Sequence, residues 1–227
     1  MEQNYRIWSH KYDLSEINKK NYKHVLKEYF ALKTSRITIL AMLLALNVIF
    51  TLISKFLLGM LPIAGFLVVE ITFFTILLTQ LITNFFYSLI FLELTVWMRM
   101  MFTGTTPVEL IAMNLVDGFF LIVFTLLIFL TKLFLVQKQL FKESKNFKII
   151  VLIYVIASVI VVLLTAAFAV WMNDAFLLDM YGVDDSFKTS TMYWTIFGFN
   201  ILKYSVNVII FLMLYKVTII LINRYRF

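Results

Sequence analysis

Asn200 and Lys203 stand three residues apart within an apolar run, so on a helix they share one face. Asn173 closes the apolar run before it. An ammonium and two carboxamides brought to one depth could hydrogen-bond a polar, heteroaromatic solute. The same residues also admit a plainer role, with Asn200 bonding to backbone and Lys203 snorkelling to an interface. Glu70, Glu93 and Arg99 lie within or beside other apolar segments. Such charges cost about 2.5–3.5 kcal/mol on insertion and are expected to face protein or water. Glu93 and Arg99 are therefore expected to pair, or Arg99 to snorkel to the nearer surface. Ala41 and Ala45, four apart, form a shallow stripe where another helix can approach closely.

The missing residue types narrow the chemistry. The chain has no cysteine, which removes disulfides, thiolate metal sites and cysteine nucleophiles. Both histidines, His10 and His24, belong to the polar N-terminal arm, so no histidine is available in the apolar part as ligand, base or relay. No Walker-type phosphate loop is present, so ATP hydrolysis by this chain is not expected, nor is a metal or resident cofactor. A membrane enzyme is disfavoured because the acids show no catalytic spacing.

The elements that must position these groups are membrane helices. The chain is 62% hydrophobic and 15% charged, against about 25% charged in soluble domains. Ile37–Leu58, Val108–Leu130, Ile149–Trp171 and Ile196–Ile222 each reach or exceed the roughly 20 residues that span the hydrocarbon. The formal charge of +7 gathers at span ends, which suits membrane topology and gives no reason to invoke nucleic acid. Residues 1–35 read as a basic cytoplasmic arm and residues 36–227 as one membrane domain. The basic segment Lys132–Lys148 and the C-terminus, with Lys216, Arg224 and Arg226, are expected inside. The acidic segment Asn173–Lys188 is expected outside.

Parity then constrains the middle. Ile71–Met101 must start and finish on the outer side, so it crosses twice, in halves of about 15 residues or roughly 22 Å. The turn is expected near Gln80–Asn84; a re-entrant pair has the same parity. The fold class is thus an all-α membrane protein, a six-transmembrane-helix bundle with short second and third helices and both termini cytoplasmic. Between the first two helices, Lys55–Glu70 carries Gly59, Pro62 and Gly65 among apolar residues. A mobile lid over a ligand has this composition, and so does a loop folded onto the bundle.

With those residues in place, the chain resembles the substrate-binding S components of energy-coupling-factor (ECF) vitamin transporters. Arg36-Ile-Thr-Ile-Leu-Ala-Met-Leu-Leu-Ala-Leu-Asn47 is similar to the family's first helix, whose alanine motif would here be Ala41 and Ala45. Thr103-Gly-Thr-Thr-Pro-Val-Glu109, leading into Asn114, resembles the family's Gly-rich start of the fourth helix. Asn173-Asp-Ala-Phe-Leu-Leu-Asp-Met-Tyr181-Gly182 and Phe199-Asn200-Ile-Leu-Lys203 resemble segments of the riboflavin-specific branch, with Asp179 where a proline is expected. The resemblance implies that Asn173, Asn200 and Lys203 bind the vitamin, with riboflavin first and folate, pantothenate or similar as alternatives. It implies a lid with Gly59, Pro62 and Gly65, and docking through Ala41 and Ala45. The implied partners are a membrane coupling subunit and two ABC ATPases in the cell membrane. A structural or assembly protein without a small ligand is the competing class.

Overall fold

The computed structural model describes residues 22–58, 70–137 and 147–225. Among them all regular structure is helical. The elements run α1 (Tyr22–Tyr29), α2 (Thr34–Ile53), α3 (Phe73–Ile82), α4 (Phe85–Thr103), α5 (Pro107–Gln137), α6 (Phe147–Met172), α7 (Leu178–Met180) and α8 (Ser190–Tyr225). Five stretches are long and apolar enough to cross a membrane: Thr34–Phe56, Phe85–Thr103, Pro107–Thr131, Ile150–Met180 and Ser190–Ile222. Between the first two stands the shorter apolar α3. All four long runs expected from the sequence fall on these helices.

The middle block turns at Thr83–Asn84, within the expected window, but its halves are unequal. The expectation of a short third helix is corrected: α3 has 10 residues, about 15 Å, whereas α4 has 19, about 28 Å. Asn84 decides where α4 begins. It adopts an extended conformation and its side chain accepts from Tyr87 N at 2.9 Å, an N-cap. The same side chain donates to Tyr29 O at 2.8 Å, and Tyr87 OH donates to Phe30 O at 2.9 Å. Arg36 donates to Ala31 O at 2.8 Å. The end of α1 is thereby bonded to the α3–α4 turn. Asn84→Ala removes both bonds and is expected to cost about 1–2 kcal/mol, read as a lower unfolding midpoint in detergent. An unchanged midpoint would remove the docking role.

At the opposite end, Gly104 ends α4 at φ 62, a left-handed conformation that a side chain disfavours. Pro107 then opens α5. Thr106 and Glu109 cap it reciprocally: Thr106 N donates to Glu109 Oε2 at 3.1 Å and Glu109 N to Thr106 Oγ1 at 3.4 Å. These local bonds account for the Thr103–Glu109 segment as a tight helix junction.

Contacts along the helices fix two ends of the bundle. The lower end holds the start of α2 and the α3–α4 turn. The upper end holds the end of α2, the start of α3 and the α4–α5 junction: Ile71 N donates to Ser54 Oγ at 3.0 Å. At this end α2 and α6 both widen into π-helical turns, Ser54–Leu58 and Asn173–Leu177. Such turns interrupt regular packing and recur beside functional sites. α3 forms the interior, with eight of its residues buried, flanked by α4 and α8. Phe73 (α3), Phe120 (α5) and Tyr204 (α8) close the upper core, Phe120 stacked on Tyr204 at 5.0 Å and Phe73 edge-on to both.

Candidate functional site

Arg99 is buried near the upper end of α4, with only 2% of its side chain exposed. Its guanidinium contacts the Glu70 carboxylate as an ion pair and donates to Thr72 Oγ1 at 2.6 Å. Met113 Sδ lies 3.6 Å from the same group. The expected Glu93–Arg99 pair, with its alternative of a snorkelling arginine, is therefore corrected. Six residues of α-helix rotate the second side chain roughly 120° away from the first, so the two cannot share a face. Arg99 points inward to Glu70. Glu93 points outward and accepts from Asn114 Nδ2 at 2.6 Å and Trp97 Nε1 at 3.2 Å.

A second buried pair joins α5 to α8. Lys203 Nζ lies 3.1 Å from Asp117 Oδ1, and Tyr204 OH donates to that same oxygen at 2.5 Å. Asp117 is 1% exposed and Lys203 7%. The ammonium also stands 5.1 Å from the Tyr204 ring centroid. Asn200, one turn before Lys203 and buried, donates Nδ2 to Ile196 O at 2.8 Å. Its carbonyl oxygen receives no donor among the described residues.

Asn207 ties the pairs together. Its Nδ2 donates to Glu70 O at 2.7 Å and to Lys203 O at 2.8 Å, while its Oδ1 accepts from Phe74 N at 3.0 Å. From α2, Asn47 adds bonds to Thr75 Oγ1 at 2.7 Å and Thr72 O at 3.3 Å. Five helices thus contribute to one polar cluster in the upper half of an apolar bundle. One donor within it, Arg99 Nε, is buried without a hydrogen-bond partner among the described residues. The four charges balance, so the cluster is neutral as a whole.

Asn173 stands in the π-helical turn at the end of α6 and donates to Ala169 O at 2.7 Å. No hydrogen bond links it to Asn200 or Lys203. Its neighbour Asp174 accepts from Tyr193 OH at 2.5 Å. Tyr193 precedes Asn200 by seven residues, a rise of about 10 Å on α8. Asn173 therefore sits higher in the bundle than the other two, nearer the connection to α8. In that connection Lys188 bridges Asp179 at 2.5 Å and Asp185 at 2.6 Å. The hydrogen bonds that the Lys188 ammonium donates to these carboxylates push its pKa above the usual value. Tyr181 is pushed up to about 12, first by burial and then by the charge of Glu109.

Ala41 and Ala45 are exposed on the outer face of α2, while Leu43, Asn47 and Thr51 of the same helix point inward. Gly59, Pro62 and Gly65 lie outside the described residues.

Sequence reasoning passed over Asp117, Tyr204, Asn207 and Asn47. The signal for Asp117 was present: an acid ten residues into a long apolar span, away from its ends, is costly enough to require a partner. Asn207 and Asn47 carried the weaker signal of an isolated carboxamide in such a span. Compared with protein-family models, with curated proteins and with solved structures, the chain matches none.

Proposed function

We propose that this chain is the solute-capturing S subunit of an ECF-type importer. The observation that carries the reading is the neutral polar cluster in the upper half of an apolar bundle, beside the two π-helical turns. Ionisable groups inside membrane helices mark solute pathways or fasten helices together. Orientation follows from charge: Lys23, Lys27, Lys33 and Arg36 mark the lower end as cytoplasmic, and Asp174, Asp179, Asp184 and Asp185 mark the upper end as external. On this reading α3 and α4 are the second and third of six membrane helices, α3 at about 15 Å being too short to reach across the hydrocarbon by itself.

The solute enters from outside and meets Asn200 and Lys203 on α8, with Asn173 above them. Asn200 offers its carbonyl oxygen, and Lys203, held by Asp117, offers its remaining hydrogens. The packed rings of Phe73, Phe120 and Tyr204 lie beside Lys203 and Asp117 and would bound the solute from the core side. A vitamin with an aromatic body and a few polar edges suits these groups, and riboflavin is the first to test. Energy comes from a membrane coupling subunit with two ABC ATPases, docking at the exposed stripe of Ala41 and Ala45.

One observation favours the competing structural role. Each charge of the cluster is already paired within the protein, as in a helix fastener without ligand. The absorption spectrum of detergent-purified protein, with mass spectrometry of what it releases on denaturation, separates the two. A yellow preparation releasing riboflavin is the expected result. Release of another vitamin moves the ligand and keeps the class, whereas an empty protein that binds no vitamin in titration supports the fastener. Separately, replacing Ala41 and Ala45 together with tryptophan is expected to abolish co-purification with an ATPase-bearing complex while leaving solute retention intact. Association that survives the change removes α2 as the docking face.

A further inference from the structure

Glu93 is the acid that the buried cluster does not use. It lies mid-way along α4, eight residues after Phe85 and ten before Thr103, about 12 and 15 Å of helix from either end. It is exposed, and so are Phe86, Ile90, Leu94, Trp97 and Met101 on the same side of the helix. A carboxylate thus stands in the centre of an apolar face that the bilayer would otherwise cover. Lipid tails offer it no donor, and headgroups are more than two helical turns away. Both bonds that it receives, from Asn114 and Trp97, go to Oε2. Oε1 receives none among the described residues, which leaves an acceptor on an exposed side chain.

We infer that this α4–α5 face is an interface within the membrane, and that its occupant is a transmembrane helix of another protein presenting a lysine or arginine at mid-depth. Charge complementarity selects the occupant. An outward acid at that depth is stabilised by a cation on a neighbouring helix far more than by hydrocarbon. Asn114 and Trp97 hold the carboxylate in a fixed rotamer, so the partner's cation meets a positioned acceptor, with Trp97 as an aromatic contact beside it. The inference does not depend on the transport reading, since it concerns a different face from both the buried cluster and the alanine stripe of α2.

The absence of cysteine allows a direct test in lipid vesicles. Met101→Cys, at a position 80% exposed on this face, carries a donor fluorophore. Two acceptor-labelled Leu-rich helices of about 20 residues are compared, one with a single central lysine and one without. The lysine helix is expected to bind at least about fivefold more tightly, and Glu93→Gln to bring it down to the leucine helix. Glu93→Lys is expected to transfer the preference to a helix with a central glutamate, which shows that the variant face is still folded. Equal binding of the two helices, or a preference that survives Glu93→Gln, overturns the inference. Glu93-dependent transfer between donor- and acceptor-labelled copies of the chain, without added helix, also overturns it, because the occupant is then a second copy.

Discussion

Arg99→Ala is expected to be among the most damaging single substitutions in the protein, costing about 3–5 kcal/mol in reversible unfolding from detergent micelles. The guanidinium is 2% exposed and holds two groups at once, the Glu70 carboxylate and the Thr72 hydroxyl. Removing it leaves an acid facing the interior without its counter-charge, and most of the loss comes from that stranded group rather than from the bond itself. The double variant Arg99→Met with Glu70→Gln is the control. Both charges are gone, so most of the stability is expected to return. A single-variant loss below about 1 kcal/mol would show that water reaches the pair, because that is the range of exposed ion pairs.

Lys203→Ala is expected to destabilise by a similar amount, about 3–5 kcal/mol, because it strands Asp117 at 1% exposure. Any loss of solute binding in that variant therefore mixes misfolding with loss of a contact. Lys203→Met combined with Asp117→Asn separates them. Tyr204 can still donate to the carboxamide oxygen that the second change places on α5, and no unpaired charge remains. Recovered stability with lost solute retention identifies the ammonium as a ligand contact. Recovered stability with intact retention assigns the pair to helix fastening alone.

How far the sequence carried the fold depends on which signal each element had. The long helices were legible because hydrophobic length is set by the bilayer and needs no knowledge of partners. The reversal at Thr83–Asn84 was legible because polar residues interrupt an apolar run there. The unequal halves were not, since the Asn84 side chain that caps α4 donates its second bond to Tyr29 O, 55 residues away. Arg99 illustrates the same limit. Its charge marked it as important, but the choice between Glu93 and Glu70 turns on helix rotation and on how α3 begins. Lys203 was found from its spacing to Asn200, while its partner Asp117 lies 86 residues away on α5, which no local pattern reveals. The height of Asn173 above Asn200 likewise depends on how the connection after α6 is folded.

Asn207 has a mechanical consequence. Its three bonds tie the start of α3 to the middle of α8, and α8 cannot slide or rotate against α3 without losing the two that cross between them. These two helices are expected to move as one stiff strut carrying both ion pairs. Any opening of the upper end must then come from elements hinged around that strut. α6 is the candidate, because it carries neither ion pair and packs on α5 and α8 mainly through apolar side chains, the buried Ala157, Val161, Val162 and Ala166 together with rings such as Phe168 on Phe119 and Tyr154 beside Phe211. Apolar contacts of this kind can shift by fractions of an ångström without breaking a buried ion pair. The polar cluster would thus serve as the fixed frame against which the rest of the bundle breathes.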